Sequence, residues 1–233
     1  MQIMIAFFRG LHRFLARHLF YQLLLWSTLA CGLLAGRMYL SGSRTYDFLV
    51  WNLFLAWMPY LYGLWAASIH ARRPGRPWRL AIPGALWLLF FPNAPYIVTD
   101  LIHLHHFGAF PVWYDTGLLA AFAWAGCFLA VASLQTMQTL VKAFVGGAAS
   151  WLCVLSTVGL GGLGIYLGRF LRWNSWDLVL QPRGVLNDVM TRLANPFDHP
   201  QTFGVTFMFA AFLLVCYVTF TSVASRSPAR QTL

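Results

Sequence analysis

The chain has 233 residues, of which 59% are hydrophobic and 9% charged. A soluble domain is about a quarter charged and covers its surface with those groups, so this composition excludes an ordinary soluble enzyme and fits one compact helical membrane domain. The formal charge of +10 does not point to nucleic acid: the basic residues cluster beside long apolar runs, where lipid headgroups are their neighbours, and no zinc-finger spacing, basic helix or stacking-aromatic motif accompanies them.

Residues 1–18 carry Arg9, Arg13 and Arg17 and read as a basic cytoplasmic segment. A basic start before an apolar stretch is also how a signal peptide begins. The stretch from Leu19 to Gly36 is too long for that, and no small-x-small cleavage site follows, so it is read as an uncleaved first span. About 20 apolar residues cross a bilayer. By that measure the candidate spans are 19–36, 47–69, 80–104, 115–140, 149–171 and 203–224. The expected fold is all-α, a polytopic transmembrane bundle forming one domain over 19–224, with a basic cytoplasmic tail at 225–233. Cys31, Cys127, Cys153 and Cys216 each lie inside an apolar run without Cys-x-x-Cys spacing, which argues against a disulfide framework or zinc knuckle.

Orientation follows the distribution of Lys and Arg. With the amino terminus inside, ten basic residues fall on the cytoplasmic side and six outside, and the tight cluster Arg72, Arg73, Arg76 and Arg79 lies inside. Both termini are therefore expected in the cytoplasm. Residues 172–202 form the longest polar connection, in which Val185 to Leu193 could make a short amphipathic helix on the outer surface.

On this topology the polar residues of four spans gather at the outer face. Asn52 lies early in the second span. Pro92-Asn93-Ala94-Pro95-Tyr96 breaks the third, because two prolines remove two backbone donors and push the preceding residues away from helix. Asn93 could cap the helix that restarts, whose positive end would suit an anion. Asp100 and His103 share a helical face, and His105 and His106 follow. Tyr114 and Asp115 open the fourth span; Tyr166, Arg169 and Arg172 close the fifth, before Asn174 and Asp177. The candidate ligand-binding set is thus Asn52, Asn93, Tyr96, Asp100, Tyr114, Asp115, Tyr166, Arg169, Arg172, Asn174 and Asp177. Ionisable groups near a membrane tend to pair or line a wet cavity. Arg169 and Arg172 could grip a carboxylate or phosphate, or pair internally with Asp100 or Asp115. Asp100, His103, His106 and Asp115 are a candidate set for a divalent metal such as zinc, although their spacing matches no defined metal signature. Ordinary helix capping and wet interfacial histidines would account for the same residues. No nucleophile elbow or phosphate-binding loop is present.

The strings Trp51-Asn52-Leu53-Phe54-Leu55-Ala56-Trp57, Phe91 through His103, and Gly168-Arg169-Phe170-Leu171-Arg172-Trp173-Asn174-Ser175-Trp176-Asp177 resemble a family of bacterial multi-pass membrane proteins known as domain of unknown function 1361. The likeness runs from about Arg44 to Asp177. It implies a bacterial cytoplasmic membrane location and supplies no activity. Three functions remain open on the residues: binding or transport of an anionic small molecule or lipid headgroup in the bilayer, a metal-dependent membrane hydrolase using Asp100 and His103, and a structural subunit whose polar cluster only ties helices together.

Overall fold

The computed structural model describes residues 2–105 and 110–226, and it is helical through most of its length. An amphipathic helix α1 (Gln2–Arg17) turns through Leu19, held in the left-handed region at φ 64°, into α2 (Phe20–Ser41). Next come α3 (Phe48–Arg72), a 3-10 turn at Pro77–Leu80, α4 (Ala81–Phe90), the short α5 (Asn93–Tyr96) and a 3-10 run Ile97–His105. A long helix α6 (Val112–Phe170) is followed by α7 (Asp177–Leu180), α8 (Pro182–Ala194) and α9 (Pro200–Arg226). Among the described residues, five helical segments are long and apolar enough to cross a membrane: Phe20–Ser41, Phe48–Arg72, Pro77–Leu104, Val112–Phe170 and Pro200–Val223.

Straight, α6 would reach about 88 Å, nearly three times the apolar thickness of a bilayer. Gly146 prevents this. Its φ of 85° with ψ of 179° lies in a region essentially reserved for glycine. The chain reverses there into two limbs that lie side by side. A side chain at Gly126 would strike the Ala94 carbonyl, and one at Gly164 would meet the Pro92 ring at 2.5 Å, so both limbs pack on the same short stretch of the third span. Tyr217 of α9 likewise hydrogen-bonds Gln138 on the first limb and packs edge-on against Trp151 on the second. Among the described residues the five apolar helices, with α6 folded back into two limbs, form a helical bundle, and the chain is a multi-pass membrane protein.

The first limb is the centre of the molecule. Leu118, Phe122, Ala125, Leu129, Ala130 and Ser133 on it are essentially inaccessible, surrounded by α2, α3, the third span and α9. By contrast α9 exposes Phe207, Met208 and Val215, as expected of an outer helix facing acyl chains. Pro59 is buried within α3, whose helix continues past it.

The charged residues divide the bundle into two ends. All six acidic residues, Asp47, Asp100, Asp115, Asp177, Asp188 and Asp198, belong to one end, formed by residues 42–47, the end of the third span, the start of α6 and the 171–199 connection. The opposite end carries Arg9, Arg13, Arg17, Arg72, Arg73, Arg76, Arg79 and Lys142 with no acid at all. We refer to them as the acidic and basic ends.

Candidate functional site

The break in the third span positions most of what the acidic end presents. Phe91 (φ −52°, ψ −41°) and Pro92 (φ −60°, ψ −24°) stay right-handed, so the chain tightens into short turns rather than unwinding. No open helix start results, and the expected capping role of Asn93 is not realised. Its amide instead donates back to the Phe90 carbonyl at 3.0 Å, which the proline-interrupted ladder leaves free, and across to the Ser175 hydroxyl at 2.8 Å.

The 3-10 run then delivers Asp100 and His103 to the end of α6. Asp100 is 1% exposed. Its carboxylate accepts from Asn52 Nδ2 at 2.8 Å and from Arg169 Nη1 at 3.3 Å. Arg169 also donates to the Thr99 carbonyl at 2.9 Å and to the Tyr96 hydroxyl at 3.3 Å, and lies over the Tyr96 ring. Its Nη2 meets His103 Nε2 at 3.0 Å. A guanidinium only donates, so His103 accepts at Nε2 and carries its proton on Nδ1. Asn52, Tyr96, Asp100, His103 and Arg169 thus come together as the polar face predicted for them, with Asp100 as the partner of Arg169.

Asp115 belongs to a second pair. Arg37, at the end of α2, donates to it from Nε at 2.7 Å and from Nη2 at 3.2 Å, with both side chains buried. Tyr46 stacks against the Arg37 guanidinium at 4.5 Å, and its hydroxyl is shared at 3.4 Å between Asp115 and the His103 carbonyl. Burial, aided by the Asp115 charge against an opposing pull from Arg37, pushes the Tyr46 phenol above its usual pKa and keeps it a donor. Tyr46 therefore joins the two ion pairs. Arg37 and Tyr46 escaped the sequence reading. The available signal was an arginine ending an apolar span, a costly group that calls for a buried acid.

The other candidates separate. Tyr114 hydrogen-bonds the Leu33 carbonyl and packs on Gly36, away from the cluster. The Tyr166 hydroxyl accepts from Arg192 at 3.4 Å, and Arg192 also grips Asp188. Arg172 does not share a face with Arg169: α6 ends at Phe170, Arg172 turns into the left-handed region at φ 60°, and it is exposed without an ion-pair or hydrogen-bond partner among the described residues. The Asn174 and Asp177 side chains close a local turn on each other. For the metal set, Asp100 and Asp115 sit in different ion pairs, the His103 Nε2 lone pair is occupied by Arg169, and His106 lies outside the described residues. No group of three metal-ligating side chains occurs among the described residues.

Beside the Asp100–Arg169 pair opens a cleft of about 520 Å³ between α3, the third span, the second limb of α6 and α8. Leu55, Leu88, Leu160 and Leu167 line it with apolar side chains, and Leu88 and Leu160 are themselves exposed, so the cleft opens sideways where acyl chains would lie. Its rim is polar, with Asn52, Asn93, Tyr96, Asn174 and Ser175. Asn52 and Tyr96 are fixed from behind by the buried pair, so the ions shape the rim without entering the cleft. The predicted amphipathic segment is α8, whose Val185, Leu186 and Val189 form one wall. It is pinned by Trp173, whose indole donates to Asp188 at 2.7 Å and whose ring lies against Gly184.

No curated protein and no solved structure matches the chain. Residues 51–216, which include most of α3, the proline break, both limbs of α6 and the cleft, match the family model described as Protein of unknown function (DUF1361), and the chain belongs to that family.

Proposed function

We propose that the protein binds or transports an amphiphile of lipid type at its acidic end, with an apolar chain in the cleft and a polar head at the rim. The observation that carries this reading is the cleft itself: at about 520 Å³ it falls in the range of small-molecule sites, and its lining combines leucines with the polar groups of Asn52, Asn93, Tyr96, Asn174 and Ser175. Arg169 is not the group that meets an anionic head, because its charge is paired with Asp100 and the donors on Nη1 and Nη2 are directed to Asp100, Thr99, Tyr96 and His103. Arg172, exposed and without an ion-pair or hydrogen-bond partner among the described residues, stands next to Trp173 and Asn174 of the cleft lining. A cytoplasmic-membrane location with both termini in the cytoplasm fits the basic end facing inward, which puts the cleft at the outer leaflet.

The test is lipid extraction and mass spectrometry on the purified protein. Leu88→Trp fills the cleft from a half-exposed position and is expected to remove a co-purified lipid while leaving the thermal midpoint unchanged. Arg172→Gln is expected to weaken retention of an anionic lipid about tenfold, the size of one lost charge-assisted contact. Retention unaffected by Leu88→Trp would overturn the reading and leave the polar residues as helix ties.

A further inference from the structure

A second pocket lies at the basic end. It occupies about 300 Å³ where the α1–α2 elbow meets α3 and the first limb of α6. Asn52 in the cleft and Ala67 in this pocket are fifteen residues apart on α3, so the two sites are separated by about 22 Å along the helix.

The elbow is a built feature. Leu19 holds a left-handed conformation that a non-glycine residue rarely adopts, and the Tyr60 hydroxyl fixes it by donating to the His18 carbonyl at 2.9 Å. His18 Nδ1 is 2.8 Å from the Phe14 carbonyl, which can only accept, so the proton sits there and Nε2 is left free. Thr136 and Thr139 donate into their own helix. Arg17 and the Gln135 amide line the pocket with no hydrogen-bond partner among the described residues. Arg17 and the Gln135 amide therefore offer the pocket unspent donors and one full positive charge, the neutral His18 Nε2 adds an acceptor, and no carboxylate lies anywhere on that end.

Helix α1 leads into this pocket through Arg17. Met4, Phe7, Phe8 and Leu11 are exposed along one side of the helix, while Arg9, Arg13 and Arg17 recur every four residues on the other. An apolar face backed by an arginine stripe lies in the plane of the bilayer at headgroup level. The chain has no acidic residue before Asp47 to compete for those arginines. Charge complementarity thus selects one occupant, a surface of anionic lipid.

We propose that the α1–α2 elbow is a binding site for an anionic phospholipid, with the headgroup phosphate held by Arg17 and Gln135 and α1 lying on the same leaflet. The site is independent of the cleft at the acidic end, and either can fail without the other.

The experiment is lipid retention by full-length protein in detergent, measured by native mass spectrometry with phosphatidylglycerol and phosphatidylcholine at equal concentration. Phosphatidylglycerol is expected to be retained about tenfold better, and Arg17→Gln to remove most of that preference. Arg17→Lys should restore part of it. Arg9→Gln, on the same stripe outside the pocket, should reduce it less than Arg17→Gln. Equal retention of the two lipids overturns the proposal, as does an unchanged preference in Arg17→Gln. Displacement of the lipid by free glycerol phosphate at millimolar concentration overturns the lipid assignment, because a soluble phosphate would then be the occupant.

Discussion

Arg37 and Asp115 are each almost fully buried, and their bidentate contact is the tightest ion pair among the described residues. Removing one partner from such a pair leaves a buried charge with nothing opposite it. Arg37→Met is therefore expected to lower stability by about 3–5 kcal/mol, while Arg37→Met combined with Asp115→Leu should recover most of the loss, since an apolar pair of similar volume avoids the desolvation cost. Thermal unfolding of both variants in one detergent decides it; a double variant no more stable than the single would show that the pair contributes more than charge balance. Arg172→Gln should change stability by less than about 0.5 kcal/mol, because the side chain has no partner to lose. These contrasting roles were only partly legible in the sequence. Asp100 and Arg169 could be named because each sits at a span end among other polar groups. Arg37 stands alone after an apolar run, and its partner is 78 positions away, so only the packing of α2 on α6 identifies it.

At the scale of elements, two glycines decide the shape of the cleft region. Gly146 turns one long helix into two limbs, and any side chain there must adopt a φ of 85°. Gly146→Ala is expected to cost about 1–3 kcal/mol and to expose the turn to protease in detergent; resistance equal to the parent would show that the reversal tolerates an ordinary residue. Gly164 is the close approach of the second limb to the third span. A Cβ there would press on the Pro92 ring at 2.5 Å, so Gly164→Ala should push the limb away from the break, at a cost of about 1–3 kcal/mol. The sequence displayed the hydropathy of both limbs and the proline break, which is why six spans could be read from it. It did not display that the break stays helical. Proline rules forbid a regular α-ladder but permit a tightened 3-10 path, and the choice depends on Asn93 and Ala94 supplying donors to Phe90 and Phe91. Helix α1 is legible only through the period of four in Arg9, Arg13 and Arg17, a spacing that a basic segment can also show without being helical.

At the scale of the whole molecule, the division of charge sets how the protein sits in its membrane. Six crossings return the chain to the side where it began, so α1 and the end of α9 share the basic end. Nine described basic residues, Arg226 at the end of α9 included, and no acid stand there, against six acids at the other end. Lys and Arg are retained on the cytoplasmic side during insertion while acids contribute little, so the basic end is expected inside. The bilayer also favours this arrangement afterwards, since anionic lipid on the cytoplasmic leaflet attracts each exposed arginine by about 1 kcal/mol. Single cysteines report it directly in a background where Cys31, Cys127, Cys153 and Cys216 are replaced by serine or alanine. Phe197→Cys is almost fully exposed in the 171–199 connection and should react with an impermeant maleimide on intact cells. Arg76→Cys, in the exposed turn between α3 and α4, should react only after the membrane is opened. The reverse pattern would place the cleft in the cytoplasmic leaflet and α1 on the outer one, and both lipid sites would then have to be sought on exchanged sides of the bilayer.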